Sequence, residues 1–333
     1  MHKSAGYAII YVVRRNAVLW ADKRYHSLDY EMKARYGHKI YKIALDGGFT
    51  CPNRDGLIDA RGCIFCSAGG SGDFAEPQHA SVTEQIEAAK ARVSAKIKNG
   101  RYIAYFQSYT NTYDALDKLT AIYEEALAHP KVAGIVVGTR PDCVNDELLD
   151  YFAALSKRCY VMIEYGIEST EDSTLEFINR GHDYACAVKA IEATAARGIY
   201  TGAHLILGLP QESRETILNH ARKISTLPLT AIKLHQLQLV KHTKMSRQYA
   251  EHPEWFKLYT ADEYIDLVID FIELLNPKIA IERMISQSPP GFVIAPEWGL
   301  KNFEFIMKVD KRLAQRNIYQ GRLYNESYKS QEL

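Results

Sequence analysis

The sequence predicts an α/β fold, a partial (β/α)6 TIM-like barrel with a C-terminal extension. Six short apolar segments alternate with stretches whose apolar residues recur every three or four positions, which is typical of βα units in a parallel sheet. A polar or glycine-rich loop follows each of the first five segments, at the edge where such a barrel carries its active site. The predicted strands are residues 41–46, 102–107, 133–139, 160–167, 200–208 and 231–239.

Amphipathic helices are predicted between these strands and after them. Residues 146–156 illustrate the pattern, because Leu148, Leu149, Phe152 and Leu155 fall on one helical face. The predicted helices are residues 82–98, 116–128, 146–156, 173–197, 214–226, 262–275 and 302–316.

Composition indicates a globular protein of a reducing compartment. Of the 333 residues, 47% are apolar and 24% charged, which is ordinary for a chain with a sizeable core. The apolar run Gly6 to Val13 is too short to cross a bilayer, and Arg14 and Arg15 follow it without a cleavage site. Three of the six cysteines share one loop, which suits metal binding better than a disulfide framework. We therefore expect a cytoplasmic protein that does not act in a membrane.

Charge is distributed unevenly along the chain. Residues 1–42 hold nine Lys and Arg against three Asp and Glu, a net charge of +6 in a chain whose total is +1. A basic arm of this kind suits a phosphate-rich partner, and a solvated basic face explains the charge equally well. The predicted regions are a basic N-terminal arm at 1–39, a barrel core at 40–245, and an extension at 246–333 whose helices and strands close the barrel.

The stretch FTCPNRDGLIDARGCIFC is the strongest chemical signal in the chain. It places Cys51, Cys63 and Cys66 at a spacing of C-x11-C-x2-C, among residues that form turns. A structural zinc site needs a fourth ligand, which His79 could supply. Three unmetallated core thiols are a second reading, and the polarity of the loop argues against it. The third is an iron-sulfur cluster with three protein thiolates and one iron left open.

This loop resembles the cluster-binding loop of radical S-adenosylmethionine (SAM) enzymes. Most of that superfamily has the spacing C-x3-C-x2-C, whereas the first gap here is eleven residues. The long gap, together with GFTCPNRDG and GCIFC, is similar to the YhcC/YtqA-like branch, which is related to the radical SAM domain of the Elongator catalytic subunit. The resemblance extends from about Asp22 to Tyr324, nearly the whole chain.

The resemblance implies a radical SAM fold and two cofactors. Cys51, Cys63 and Cys66 would hold a [4Fe-4S] cluster, and SAM would chelate the open iron. One electron, from a donor such as flavodoxin or ferredoxin, would cleave SAM to methionine and a 5′-deoxyadenosyl radical.

Further site residues follow from the same resemblance. They lie in the motifs FQSYTNTY, YGIES, INRGH and AHLILGLP and in the cysteine loop itself. Glu168 and Arg180 could instead form an interior salt bridge, and His204 could be a core histidine. The implied contacts are Phe65 and Gly208 with the adenine, Ser108 or Thr110 with the SAM amino group, Glu168 and His204 with the ribose, and Arg180 with the carboxylate.

The substrate is the least determined part of the prediction. Lys233, His235, Gln236 and Arg283 are expected near the mouth of the barrel, where they could touch substrate or phosphate. The kinship with Elongator and the basic arm suggest tRNA, with the wobble uridine as target and a change from a carboxymethylaminomethyl to an aminomethyl side chain as the specific hypothesis. A radical SAM enzyme with a small-molecule or protein substrate, and a zinc-stabilised RNA-binding module, remain as alternatives.

Overall fold

The computed structural model describes residues 12–14, 17–70, 80–93 and 100–327. Seven parallel strands form its main sheet, in the order β3-β4-β5-β6-β7-β8-β10, and two short antiparallel pairs, β1-β2 and β9-β11, lie outside it. The strands are β1 Val12–Arg14, β2 Ala17–Leu19, β3 Ile40–Leu45, β4 Arg101–Phe106, β5 Val132–Thr139, β6 Tyr160–Glu168, β7 Tyr200–Leu207, β8 Ala231–Gln236, β9 Leu239–Val240, β10 Ala280–Arg283 and β11 Val293–Ala295.

Ten α-helices occupy the described ranges. Several begin at a side chain that accepts from the first turn, such as Asn145 before α4 and Thr260 before α9, where Thr260 and Glu263 form a capping box. The helices are α1 Leu28–Tyr36, α2 Val82–Val93, α3 Leu116–Ala128, α4 Asp146–Ser156, α5 Asp172–Phe177, α6 Tyr184–Ala196, α7 Arg214–Ile224, α8 Lys244–Glu251, α9 Ala261–Leu274 and α10 Asn302–Gln315.

The predicted fold class is confirmed, with one strand more than predicted. The first five predicted strands correspond to β3 to β7 within one residue at each end, and the sixth, β8, already ends at Gln236. The added strand, β10, pairs in parallel with β8 and comes from the C-terminal part of the chain.

The single helix predicted over residues 173–197 is wrong. The structure has two helices there, α5 and α6, separated by Asn179, Arg180 and Gly181. Asn179 and Gly181 have φ values of 55° and 77°, in the left-handed region that ends a helix, and Asp183 then caps α6 by accepting from the backbone of Cys186. The interruption directs Arg180 toward the interior.

The sheet curls into a half-barrel, which brings its two edge strands together. Lys42 Nζ on β3 lies 2.6 Å from Glu282 Oε2 on β10. Helix α1 fills the amino end of the concave face, where Leu28 and Met32 belong to the same apolar cluster as Ile103 of β4. The convex face is covered by helices, so that β5 is buried along its whole length and its sequence is a continuous apolar run.

Much of the basic charge predicted for an N-terminal arm is engaged within the fold. Lys23 is paired with Asp310, and Lys42 with both Glu164 and Glu282. Lys3 and Arg15 lie outside the described residues. Four further cations contact acceptors or aromatic rings: Arg24, Lys33, Arg35 and Lys39.

In the described part of the chain, every helix is too short or too polar to traverse a bilayer.

Candidate active site

A cavity of about 260 Å³ opens at the carboxyl ends of the parallel strands. It holds most of the residues that the sequence singled out, although they come from distant parts of the chain. Ser108 and Gly208 are not part of its lining. The predicted residues that line it are Cys51, Cys63, Phe65, Cys66, Thr110, Glu168, Arg180 and His204.

Short-range hydrogen bonds fold the cysteine loop back on itself. The amides of Arg54 and Asp55 donate to the Cys51 carbonyl over 2.8 and 3.1 Å, and the Cys66 amide donates to the Cys63 carbonyl over 3.1 Å. Gly62, with a φ of 74°, makes the turn that returns the chain to Cys63. The C-x2-C turn and the long excursion before it therefore bring all three cysteines to one wall of the cavity.

Two N–H donors point at the sulfur of Cys63. Asn53 Nδ2 and Arg180 Nη1 each lie 3.5 Å from its Sγ. Asn53 also donates to the carbonyl of Asn179 over 2.6 Å, which ties the cysteine loop to the break between α5 and α6. Although burial opposes it, the negative charges of Cys63 and Glu168 raise the pKa of Arg180, so the guanidinium stays charged. The sequence gave no signal for the role of Asn53.

Glu168 and Arg180 are close, but they are not a simple salt bridge. Their nearest charged atoms are 3.8 Å apart, and Arg180 Nη2 donates instead to the Gly166 carbonyl over 2.6 Å. Glu168 has a φ of 71° at a register shift in β6. Positive φ in a glutamate stores strain, and such residues concentrate at functional sites. A Cβ on Gly166 would lie 2.8 Å from Arg180 Nη2, so this glycine gives both side chains their space.

The loop after β4 presents buried hydroxyls. Ser108 and Thr110 are each 1% exposed, and their hydroxyl oxygens have no hydrogen-bond partner among the described residues. Tyr109 between them has a φ of 58°. Unpaired buried hydroxyls are unfavourable unless a bound group satisfies them, and the one on Thr110 lies at the cavity wall.

Gly208 and His204 are explained by their immediate neighbours. Gly208 has a φ of 97°, and a Cβ there would meet Tyr259 at 3.3 Å, so the glycine is needed for the turn after β7. His204 Nε2 lies 3.1 Å from Glu164 Oε2, and the ring also faces the cavity. The predicted contacts of both residues with SAM stay predictions.

A buried polar cluster joins the loops after β6 and β7. Ser169 donates to Glu212 Oε1 over 2.5 Å, and Thr170 Oγ1 lies 2.7 Å from His220 Nδ1. All four side chains are almost inaccessible. The cluster fixes the loop that carries Glu168 against the start of α7.

A charged layer, which the sequence analysis missed, crosses the half-barrel beneath the cysteine loop. Glu164 is 2% exposed, and its oxygens lie 2.7 Å from Lys42 Nζ and 2.6 Å from Lys233 Nζ. Burial would raise the pKa of Glu164, but the charges of Lys233 and Lys42 hold it well below its usual range. A glutamate in the middle of the apolar segment YVMIEYGI was the available signal.

The thiols suit a cluster better than a single ion. Across the ranges that the structure describes, no three His, Cys, Asp or Glu side chains converge enough to hold one metal ion. Thiolates that bind separate irons of a cluster need not converge in this way. His79, the fourth ligand of the zinc alternative, lies outside the described residues. Three thiols on one cavity wall, with N–H donors to a sulfur, fit a [4Fe-4S] cluster.

Comparison with known proteins gives two matching family models and relatives of similar length. The model described as the radical SAM superfamily matches residues 60–224, and that described as the Radical_SAM C-terminal domain matches residues 229–315. YtqA of Bacillus subtilis is 39% identical, with 91% of this chain and 94% of YtqA aligned. YhcC of Escherichia coli is 34% identical, with 86% and 92% aligned.

More distant matches involve the Elongator relatives. The structure of Elp3 from Methanocaldococcus infernus with an N-terminal deletion has a TM-score of 0.64 and 16% identity, over 84% of this chain and 64% of that one, which shows a shared fold. A tRNA uridine(34) acetyltransferase of the same organism is 25% identical over 51% of this chain, which corresponds to 31% of its own length. The chain belongs to the radical SAM superfamily, in the group of YtqA and YhcC, and this superfamily uses a [4Fe-4S] cluster and SAM.

Proposed function

We propose that this radical SAM enzyme modifies the wobble uridine of tRNA and converts a carboxymethylaminomethyl side chain to an aminomethyl one. The observation that carries the proposal is one cavity lined at one end by three cysteines and at the other by basic and amide side chains. A radical formed beside the cysteines is within reach of a group held at the other end. The similarity to a tRNA uridine(34) acetyltransferase supports tRNA as the partner.

Cys51, Cys63 and Cys66 hold the cluster in this proposal. When bound, the cluster supplies the electron that splits SAM into methionine and a hydrogen-abstracting 5′-deoxyadenosyl radical. Asn53 and Arg180 stabilise the negative charge on Cys63 by donating to its sulfur. The Arg180 fork also faces the SAM carboxylate, and Thr110 accepts from or donates to the SAM amino acid moiety.

A basic segment beside the cavity is the proposed tRNA contact. It begins directly after Val240, which lines the cavity, and its cations are exposed without an ion pair to any residue that the structure describes. Phosphate contacts by such side chains would make binding salt-dependent. The segment consists of Lys241, His242, Lys244 and Arg247. It replaces the N-terminal arm, whose cations are largely engaged.

The remaining elements of the proposal concern location and reductant. A radical SAM enzyme needs an electron donor, and we propose a flavodoxin or ferredoxin of the cytoplasm, the compartment in which tRNA and reduced thiols occur.

Changing Gly166 to alanine is expected to weaken SAM binding about tenfold or more while the cluster is retained. The new Cβ would lie 2.5 Å from Glu168 Oε1 and 2.8 Å from Arg180 Nη2, so both side chains must leave their positions, and hydrogen bonds to charged groups contribute about 1.5–3 kcal/mol each. Equilibrium dialysis with SAM measures the effect, and iron per chain serves as the control. An unchanged Kd for SAM would remove Arg180 and Glu168 from the proposed SAM site.

The proposed function is tested anaerobically in the reconstituted enzyme with SAM and dithionite. We expect 5′-deoxyadenosine formation to rise when tRNA carrying the carboxymethylaminomethyl uridine is added, and the nucleoside to lose the mass of the carboxymethyl group. Replacing Lys241, Lys244 and Arg247 together by alanine should weaken tRNA binding and lower its dependence on salt concentration by about two in the logarithmic slope.

Other outcomes point to the alternatives. Formation of 5′-deoxyadenosine that is unaffected by tRNA would retain the radical enzyme and favour a small-molecule or protein substrate. Colourless protein with one zinc and no iron would support the zinc-stabilised RNA-binding module.

A further inference from the structure

The end of the cavity away from the cysteines carries an arginine that the fold itself does not use. Arg283, at the end of β10, lines the cavity, and its guanidinium has no hydrogen bond or ion pair with any residue in the described ranges. It is adjacent in the sheet to Lys233 of β8. Lys233 is already engaged by Tyr105, Glu164 and Glu282. Arg283 is thus the cation in this region that is available to a ligand.

His235 presents a second unused group at the same place. Its Nδ1 is hydrogen bonded to the Ser286 hydroxyl, whereas Nε2 is buried and has no partner among the described residues. Burial, together with the charges of His204 and Arg283, holds the pKa of His235 well below its usual value, so the ring is neutral at pH 7. With Ser286 donating to Nδ1, the ring proton is on Nε2 and is available as a donor.

The surrounding backbone holds these groups in place. Gln236 Nε2 donates to the Ser286 carbonyl over 3.0 Å, and the Ser286 amide donates back to Gln236 Oε1 over 2.6 Å. One turn further, Ser288 donates to Gln238 over 2.9 Å. The segment after β10 is therefore fastened to β8, and Ser286 and His235 keep their positions before a ligand arrives.

The charges of this region call for one negative charge. Lys42, Lys233 and Arg283 are positive, while Glu164 and Glu282 are negative, which leaves a net charge of +1 with the histidines neutral. An unbalanced buried cation is unfavourable, and an anionic ligand removes the imbalance.

We propose that Arg283 and His235 bind the terminal carboxylate of the substrate side chain, and that Arg283 is thereby a specificity-determining residue. A carboxylate at the tip of a side chain can enter the half-barrel, whereas a backbone phosphate would have to bring its polymer chain into a cavity of about 260 Å³. The two donors of a guanidinium fork match a carboxylate. The inference rests on the proposed function for the rest of the molecule, since a carboxymethylaminomethyl group ends in a carboxylate.

The test uses the reconstituted enzyme and two probes. The first is tRNA bearing the carboxymethylaminomethyl uridine, whose conversion gives KM and kcat. The second is N-methylglycine, which carries the same NH-CH2-COO⁻ group without RNA, with N-methylglycinamide and inorganic phosphate as comparisons, in ligand-observed NMR. The variants are Arg283→Gln, Arg283→Lys and the control Arg101→Gln, an exposed arginine at the amino end of β4.

We expect Arg283→Gln to raise KM for the tRNA about tenfold or more, with a smaller change in kcat, and to abolish binding of N-methylglycine. Arg283→Lys should restore part of the affinity, and Arg101→Gln should behave as the wild type. An unchanged KM in Arg283→Gln overturns the inference, as does phosphate binding that matches N-methylglycine binding. Loss of N-methylglycine binding in Arg283→Gln, with no tRNA converted by the wild type, overturns the tRNA function and keeps the carboxylate site. A wild type that neither converts tRNA nor binds N-methylglycine overturns both.

Discussion

Replacing Cys63 by alanine is expected to abolish cluster binding and cleavage of SAM. Cys63 is the most buried of the three cysteines, at 7% exposure, and its sulfur lies within reach of two N–H donors. Without it the cluster would have two protein ligands, and the charge of Arg180 would lose the nearby thiolate. Iron and sulfide per chain, visible absorption and 5′-deoxyadenosine formation measure the effect.

Cys186 provides a matched control for that experiment. It is half-buried near the start of α6 and does not line the cavity. Cys186→Ala should keep iron, colour and 5′-deoxyadenosine formation at wild-type levels. Iron-loaded Cys63→Ala protein that still cleaves SAM would contradict the assignment of the cluster to this loop.

The barrel strands could be predicted because both of their faces are buried. Strands such as β5 and β6 are covered by helices on one side and by the cavity or α1 on the other, so their sequences are short continuous apolar runs. Strand β10 was missed because four residues, AIER, are too few to show a pattern. Its place in the sheet is fixed by long-range pairing with β8, which local sequence does not encode.

The helix break at Asn179 and Gly181 shows a different limit of sequence reasoning. The segment from 173 to 197 has continuous helical periodicity, but the amide of Asn179 is drawn to Gly62 and Asp59 of the cysteine loop. A tertiary contact thus overrides local preference at the position where Arg180 must turn inward. The cysteine wall itself was predictable because three cysteines in one polar loop are rare enough to indicate chemistry.

The charged layer was overlooked because charge in an apolar strand was treated as incidental. Lys42, Glu164 and Lys233 each interrupt a predicted strand, and their mutual pairing becomes visible only when the sheet curls. The same curl neutralises Lys42, which the sequence had counted toward a basic arm. Net charge along a chain therefore overestimated the surface available to phosphate.

Glu164→Gln is expected to lower the free energy of unfolding by about 3–5 kcal/mol. The glutamine cannot neutralise Lys42 and Lys233, and removing one partner of a buried ion pair leaves an uncompensated charge. Urea denaturation of the cluster-loaded protein at pH 7, under anaerobic conditions, measures the change. The double variant Glu164→Gln with Lys233→Met serves as the matched control, and it should be less destabilised than the sum of the two single variants.

The same substitution is expected to change the dependence of stability on pH. Because the folded protein holds the pKa of Glu164 below its ordinary value of 4.5, this carboxylate stabilises the fold above about pH 4.5, and its contribution is lost as the pH falls further toward the folded-state pKa. The difference between wild type and Glu164→Gln should therefore be constant from pH 8 to 6 and shrink in acid. A difference that stays constant down to about pH 3 would mean that Glu164 is held by packing rather than by its charge, because only the charged form is paired with the lysines.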